Sequence, residues 1–504
     1  MSASKKKLQR KSEVQAEQIS EAEAKQIAYK KKARSYSIIA IVVVILVAAL
    51  LIWNSGVFQK NATAATVGNE KLSVAEMGYY YYNNYYYQMY SYYGISADTV
   101  LDSTKGTTYR DYFMELALTD AQDIQALYNE ALANGYSDAD VAEELKAQIE
   151  TYEATALSTG YSYKAYLKAV MGKYMTPALF EKLATRSLLA NKYYTAVSAE
   201  KTASFSAAEL EAYYNEHVDE VDQYTYSYLY FLADTVSADD EEAAGLTEAE
   251  ITALNEQAMA DAKAKAEAAL AEYNNGASVA ELIESAAPST SVDHNKVTGK
   301  SAISSAYSEE LLKLGNDEAT VVEYEENGYY MIVFHGKARN DELTASVYNI
   351  FVQASTTTDS NGYYTEPDVK GWETAKQKAD EILADYTNGK QSAETFSALA
   401  TKYGMADGGL STGVHSGSSS ASTDERIDWL FSEGERVKGD TTIAQYESSL
   451  YGYGYYVSYF LEWGEPVWML TVRSTLANEY LSGWMESLAE ANPAELLSGA
   501  KNVG

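Results

Sequence analysis

The sequence has no cysteine, and among its 504 residues it has only five prolines, ten phenylalanines and four histidines. Without cysteine the chain can form no disulfide, no thiolate metal site and no cysteine-linked lipid anchor, and it has no cysteine nucleophile. The histidines are too scattered to indicate a metal cluster: His217, His294, His335 and His415. Hydrolase and nucleotide-binding motifs are also missing. We therefore expect no cofactor.

The charge is strongly negative and unevenly distributed. The net charge is −33, yet residues 1–34 carry ten Lys or Arg against four Glu, a net of +6, so residues 35–504 carry −39. Such an acidic chain cannot neutralise phosphates, which argues against nucleic acid as a partner. Tyrosine is abundant, with 46 residues. Each tyrosine combines an apolar ring with a polar hydroxyl.

One long apolar run follows the basic N-terminal segment. No charged residue occurs in 35–59, which contains IIAIVVVILVAALLIW. A bilayer core needs about 20 apolar residues as a helix, and basic residues mark the cytoplasmic side. We therefore expect a basic cytoplasmic segment over 1–35 and a transmembrane anchor over 36–58, which places the protein at the cell membrane with most of the chain outside the cytoplasm. A signal peptide cleaved near residues 62–64 and a buried core helix are the alternatives.

The region 64–220 is predicted to be helical. Apolar residues in 107–136 recur with the period of an α-helix, and Asn134-Gly135 is typical of a helix end. Further on, Ser206 and Glu209 have the spacing of a capping box at the start of another helix.

Two later regions, 222–340 and 343–470, repeat one order of predicted elements about 120 residues apart, which indicates an internal duplication. Each region begins with a strand, continues with helices and ends with strands. The first and last strands of the second region are predicted over 346–353 and 455–463. The chain closes with a helix over 471–492, which we expect to pack on the helical region through an apolar stripe. The stripe consists of Leu476, Tyr480, Trp484 and Leu488.

Motifs in these regions resemble those of known foldases. The pattern F..LA..Y....GG is formed by Phe396, Leu399, Ala400, Tyr403, Gly408 and Gly409. With Gly454-Tyr455-Tyr456, it makes region 343–470 resemble a parvulin-type (PpiC-type) peptidyl-prolyl isomerase domain. Region 222–340 resembles that domain more faintly, through Gly328-Tyr329-Tyr330. The stretch FSAAELEAYYNEH is similar to the helical chaperone domain of the SurA and PrsA foldases.

The resemblance implies an α+β multidomain fold. It combines a single N-terminal transmembrane helix, a helical SurA-N-like chaperone domain over 64–220, a degenerate parvulin-like domain over 222–340, a parvulin-like domain over 343–470 and a C-terminal helix.

The implied site departs from the parvulin pattern. Parvulins carry one histidine in the first strand and another in the closing GYH motif; here Asn349 and Tyr456 take these positions, and in the first region Tyr228 and Tyr330 do. The resemblance implies a catalytic set of Asn349, Asp407 and Tyr456. It implies a substrate-binding set of Met405, Phe431 and Tyr455. Because the histidines are replaced, weak or no isomerase activity is expected.

Two classes of function follow from the sequence. The resemblance implies a membrane-anchored extracytoplasmic foldase or chaperone that binds unfolded or secreted polypeptides. The alternative is a non-catalytic cell-surface scaffold that keeps the fold. The tyrosine-rich run 79–93 fits either a groove for unfolded polypeptide or a helix whose tyrosines pack into the core.

Overall fold

The structure, a computed structural model, describes residues 11, 41–47, 57–85, 89, 93–237, 245–286, 292–325, 327–431 and 436–504. By their contacts the residues form two compact units. The first unit consists of Met1–Lys201 and Glu479–Gly504, and the second of Thr202–Asn478.

The first unit is mainly helical. Its helices are α1 (Val57–Lys60), α2 (Val74–Tyr85), α3 (Tyr109–Ala133), α4 (Ala142–Ser158), α5 (Tyr163–Met171) and most of α6 (Pro177–Ser204). Its first strands are β1 (Thr63–Val67), β2 (Glu70–Ser73), β3 (Val100–Asp102) and β4 (Thr107–Thr108). Among the tyrosines of α2, Tyr79, Tyr80, Tyr81 and Tyr85 are buried in the core. Most residues of the tyrosine-rich run beyond this helix lie outside the described residues.

The end of the chain completes the first unit. The strand β14 (Ala494–Leu496) pairs with β1, which lies between β14 and β2. From the last turns of the C-terminal helix, Leu488 packs beside Leu127 and Leu189, with Trp484 at the edge of this cluster.

The second unit contains two copies of one topology. Helices α7 (Ala207–Glu216) and α8 (Val218–Val221) precede them. The first repeat (Gln223–Ala338) contains β5 (Gln223–Leu232), α9 (Glu248–Asn274), α10 (Val279–Ser285), β6 (Val292–Gly299), α11 (Ser308–Leu311), β7 (Glu318–Tyr324) and β8 (Gly328–Ala338). The second repeat (Leu343–Pro466) contains β9 (Leu343–Gln353), α12 (Val369–Thr387), α13 (Ala393–Lys402), β10 (Leu410–Val414), β11 (Thr423–Asp424), α14 (Glu425–Phe431), β12 (Thr441–Ser448) and β13 (Gly452–Pro466), and α15 (Val467–Ala491) follows.

The two sheets share one strand order. The sheets have the orders β6-β5-β8-β7 and β10-β9-β13-β12-β11, so the opening strand of each repeat pairs with the closing one. One face of each sheet is covered by the two helices that follow the opening strand. Ala262 and Ala266 pack on the first sheet, and Ala379 and Ile382 pack on the second. The opposite faces carry Asn349 and Tyr456 in the second repeat and Tyr228 and Tyr330 in the first.

Ser206 and Glu209 form the predicted capping box. The Ser206 backbone N–H donates to Glu209 Oε2 at 2.8 Å, and the Glu209 backbone N–H donates to Ser206 Oγ at 3.3 Å. Helix α7 therefore begins at Ala207, with two otherwise unsatisfied backbone donors paired.

The prediction that the fold includes a membrane-spanning helix is wrong. No helix among the described residues is long and apolar enough to cross a membrane. Within the predicted anchor, 36–58, the described residues 41–47 are helical. Residues 36–40 and 48–56 lie outside the described residues, as does the basic segment 1–35 apart from residue 11. The fold class becomes a mixed α and β multidomain chain.

Candidate functional site

Neighbouring strands of the second repeat carry two of the predicted catalytic residues, Asn349 and Tyr456. Strands β9 and β13 pair antiparallel, with Asn349 opposite Ser458 and Phe351 opposite Tyr456. Residues that are directly opposite share a face of the sheet, as do alternate residues along one strand. Asn349 and Tyr456 therefore lie on one face, opposite the face that packs on α12 and α13.

Asn349 is buried, and both of its side-chain groups are hydrogen-bonded. Its Nδ2 donates to Ser411 Oγ at 3.2 Å, and its Oδ1 accepts a hydrogen bond from Ser458 Oγ at 2.7 Å. Because Ser411 belongs to β10 and Ser458 to β13, the asparagine links three adjacent strands. The position supplies a fixed, neutral polar group that cannot transfer a proton as histidine can.

Tyr456 belongs to an aromatic cluster on the same face. Its ring centroid lies 4.8 Å from that of Phe351 and 5.2 Å from that of Tyr446. Burial raises the pKa of both the Tyr456 and the Tyr446 phenols above the ordinary value. The hydroxyls are therefore protonated at neutral pH, and the cluster presents uncharged aromatic surface.

A buried ion pair lies beside this cluster. The guanidinium carbon of Arg426 lies 4.5 Å from the ring centroid of Tyr456, and its Nη2 donates to Asp424 Oδ2 at 2.9 Å. The two side chains are only 13% and 4% exposed, so their charges compensate each other away from water. Removing either partner leaves an unpaired buried charge, which is strongly destabilising.

The turn Ala406–Gly409, which contains Asp407, brings Gly409 next to the backbone of Asn349. Asp407, Gly408 and Gly409 all have positive φ, at 48°, 63° and 75°. A Cβ atom at Gly409 would lie 2.2 Å from the Asn349 carbonyl oxygen, so only glycine fits this approach. The Asp407 side chain itself is exposed.

The structure does not bring the three predicted substrate-binding residues together. Tyr455 packs toward the helices, with its ring centroid 5.6 Å from that of Trp372 on α12, and Met405 packs on the same helix-covered core. Phe431 lies on the face of Asn349 but at the far end of α14, beside Trp463.

Four residues of this face were missed by sequence reasoning. They are Phe351, Tyr446, Asp424 and Arg426. Phe351 follows Asn349 by two residues in one strand, so the alternation of side chains could have placed it there. Tyr446 depends on the unpredicted strand β12, and no sequence signal points to the ion pair.

In the first repeat the equivalent face is filled with tyrosine. The face is formed by Tyr226, Tyr228, Tyr230, Tyr307, Tyr324 and Tyr330. Tyr307 packs beside both of the histidine-equivalent positions, with its ring centroid 5.6 Å from that of Tyr228 and 5.1 Å from that of Tyr330. The place that Asn349 takes in the second repeat is thus filled by rings.

Histidine is present in the first repeat, but on the other face. His335 Nε2 lies 2.8 Å from the hydroxyl of Ser227. Ser227 is fully buried. It lies on the helix-covered face of the sheet, because Leu229 and Phe231, which follow it at intervals of two residues, belong to the core on that face. Within the described ranges, no three His, Asp or Glu side chains are grouped so that they could hold a metal ion.

Comparison with known families identifies the N-terminal part of the chain. Residues 9–194, less than half of the chain, match the family described as the SurA-like N-terminal domain. This region is similar to SurA-like N-terminal domains. The predicted likeness to SurA-type foldases is confirmed for these residues, and the match supports a chaperone or foldase.

Solved structures and curated proteins add little to this. The peptidylprolyl isomerase PrsA of Bacillus cereus is 14% identical, with 48% of this chain and 79% of that chain covered and a TM-score of 0.19. PrsA of Bacillus anthracis is 15% identical, with 44% and 79% covered and a TM-score of 0.18. No curated protein matches the chain. At such TM-scores the two likenesses carry no weight for the function of this chain.

Proposed function

We propose that this chain is a foldase or chaperone that acts outside the cytoplasm on unfolded or secreted polypeptides, and that its second repeat binds prolyl segments. The SurA-like domain supports the first part. The second part rests on the shared face of Asn349 and Tyr456, where aromatic rings lie beside a hydrogen-bonded asparagine. Aromatic surfaces bind proline-rich segments because the rings pack on the apolar pyrrolidine and the extended peptide is already ordered.

Binding is expected with little acceleration of isomerisation. Rotation about a peptide bond has a barrier of about 18–20 kcal/mol, and only contacts that favour the twisted bond over the planar one lower it. Asn349 already uses its amide groups on Ser411 and Ser458. The face therefore offers a ring surface for the proline but lacks the histidine pair of parvulins.

A double substitution tests the isomerase half of the proposal. Asn349→His with Tyr456→His restores the parvulin pattern, so cis–trans exchange of a prolyl peptide, measured by NMR exchange spectroscopy, should become faster than with the unmodified chain. Tyr455→His is the matched control, because it adds histidine to the same strand on the opposite face. A folded double variant that neither binds the peptide nor accelerates exchange would contradict the proposal.

The chaperone half needs a separate measurement. The full chain should slow the aggregation of a reduced, unfolded model protein, followed by light scattering. The second candidate, a non-catalytic scaffold, is favoured by the tyrosine-filled face of the first repeat, where rings occupy the equivalent of Asn349. A chain that leaves aggregation unchanged and binds no prolyl peptide would favour the scaffold.

The location is part of the proposal and rests on the charge pattern, with its basic N-terminal segment and acidic remainder. Added protease should cleave the chain in intact cells if residues beyond about 64 are outside the cytoplasm. A chain that is degraded only after the cells are lysed would contradict this.

A further inference from the structure

The same three-ring cluster occurs in both repeats. We call Tyr230, Tyr324 and Tyr330 the first ring triad, and Phe351, Tyr446 and Tyr456 the second ring triad. The closest pair of ring centroids is 4.5 Å apart in the first triad and 4.8 Å in the second. The other two distances are 5.6 and 6.2 Å in the first triad and 5.2 and 5.7 Å in the second.

The two triads occupy equivalent register positions. Tyr230 pairs with Tyr330 across β5 and β8, as Phe351 pairs with Tyr456 across β9 and β13. The third ring of each triad, on β7 or β12, pairs with the glycine of the Gly-Tyr-Tyr motif, Gly328 or Gly454.

In both repeats, the closeness of the neighbouring strand requires glycine at this position. A Cβ atom at Gly328 would lie 2.2 Å from the carbonyl oxygen of Phe231, and a Cβ atom at Gly454 would lie 2.2 Å from that of Val352. The opening and closing strands approach each other equally closely at the two sites, which fixes the same spacing of rings.

Beside each triad lies one pair of opposite charges. Lys296 lies over the ring of Tyr228, beside the first triad, and pairs with Asp293 at 3.6 Å. Arg426 and Asp424 form the corresponding pair at the second triad. All three rings of the first triad are half-buried, so their remaining surface is open to solvent. In a chain of net charge −33, aromatic rings flanked by paired charges suit an uncharged ring better than a charged ligand.

The repeats differ at the position of Asn349. In the first repeat Tyr228 takes that position, and Tyr307 packs against it with its hydroxyl 3.4 Å from that of Tyr226. Because Tyr228 and Tyr307 occupy this position, the first triad offers a surface on which a ring can stack. At this position the two rings take the place of the asparagine amide, the polar group that could act on a peptide bond.

We propose that the first ring triad is a second, non-catalytic binding site for prolyl segments, so that one extended polypeptide can be held at both repeats. This inference rests on the proposed function of the second repeat. A segment bound at one triad is kept at high effective concentration near the other, which strengthens binding without any new contact. Unfolded polypeptides with separated prolines are therefore the expected ligands.

Photo-crosslinking tests the site directly. The probe is a peptide of about eight residues with one central Ala-Pro and a photoactivatable group, added to the full chain. Crosslinks should map by mass spectrometry to both 322–332 and 446–458. Tyr330→Leu should remove the first set only and Tyr456→Leu the second only. Tyr330→Phe, which keeps the ring, should retain both sets, as should Tyr451→Leu at an exposed tyrosine outside the triads.

A longer peptide tests whether the two sites act together. A flexible peptide of about 40 residues, with an Ala-Pro segment at each end, should bind at least about tenfold more tightly than the short one. Either leucine substitution in a triad should abolish the gain. Crosslinks at the second triad alone, unchanged by Tyr330→Leu, would overturn this inference and leave the proposed function intact. Absence of crosslinks at both triads would overturn both.

Discussion

At the scale of single residues, the second repeat holds the side chain of Asn349 in a fixed place through two hydrogen bonds. Asn349 is only 6% exposed, and Ser458, which donates to it, is fully buried. A buried polar group that loses its partner keeps its desolvation cost. Asn349 thus contributes to the stability of the sheet.

Ser458→Ala should destabilise the second repeat. The change leaves the Asn349 Oδ1 acceptor without its 2.7 Å donor, and such a loss costs about 1–3 kcal/mol. Chemical denaturation followed by tryptophan fluorescence checks it, because Trp372, Trp429 and Trp463 lie in this repeat.

Ser411→Ala serves as the control for this prediction. Its hydrogen bond to Asn349 is longer, at 3.2 Å, and Ser411 lies on the edge strand β10, where water can replace the lost hydroxyl. It should therefore cost less than Ser458→Ala. If both variants lost the same free energy of unfolding, the hydrogen bond from Ser458 would stabilise the repeat no more than the bond to Ser411.

The ring triads predict a loss of stability at high pH. Burial raises the pKa of the Tyr330 and Tyr456 phenols, whereas tyrosines of the unfolded chain ionise near pH 10. Stability from a raised pKa is complete below the unfolded pKa and is lost as pH rises toward the folded one. The thermal midpoint should stay level between about pH 7 and 9 and fall above about pH 10.

Phenolate absorbance gives the matching measurement. Exposed tyrosines should ionise first, and buried ones only as circular dichroism reports unfolding. Tyr456→Phe should make the alkaline fall in midpoint shallower, because it removes one of the groups whose pKa is raised. If every tyrosine titrated in one step near pH 10 while the fold remained intact, this account of the triads would be wrong.

At the scale of elements, the glycine pair sets how closely a turn approaches the site. Gly409→Ala should severely destabilise the second repeat, because the new Cβ would lie 2.2 Å from the Asn349 carbonyl oxygen at a φ of +75°. Both the clash and the left-handed backbone, the latter alone about 1–2 kcal/mol, oppose the fold. Hydrogen exchange of strand β9 would report the loss.

Gly404→Ala separates the two effects. Gly404 also has a positive φ, +82°, but nothing lies within 4 Å of its Cβ position. The control should therefore show only the backbone cost of about 1–2 kcal/mol. If both variants lost the same stability, steric closeness to Asn349 would play no part.

The elements also show where sequence reasoning succeeds and where it stops. Local patterns suffice for α7, whose capping box is contained in four residues. Strand β12 escapes prediction because its buried positions are Ala444, Tyr446 and Ser448, which form no apolar alternation. Tyr455 and Tyr456 are adjacent in one strand, and successive side chains of a strand point to opposite faces of the sheet. The sequence alone therefore shows that these two side chains cannot line the same pocket.

Local sequence patterns cannot predict strand register or contacts between distant residues. The pairing of Phe351 with Tyr456 joins residues more than a hundred positions apart. The Arg426–Asp424 pair lies where α14 packs against that face of the sheet. Such placements follow from the whole packing arrangement, which one sequence does not specify locally. The domain boundaries and the site residues therefore stay predictions that the proposed experiments address.

At the scale of the whole molecule, the end of the chain belongs to the unit in which the described structure begins. Leu496 of β14 pairs with Ala65 of β1. The predicted apolar stripe of the C-terminal helix is divided: Leu476 packs near Leu210 in the second unit, whereas Leu488 packs in the first. Hydrophobic period alone indicates the stripe but not its partners.

Leu488→Ala should lower the stability of the first unit. Leu488 is 8% exposed and packs beside Leu127 and Leu189, and truncating a buried leucine costs about 2–5 kcal/mol because apolar contact is lost and a cavity remains. Hydrogen exchange of the segment 121–131, which lines this cluster, should accelerate. Leu157→Ala is the matched control, because Leu157 is 81% exposed in the same unit and such surface changes stay within about 0.5 kcal/mol. If the two variants exchanged equally, the returning helix would add nothing to the N-terminal core.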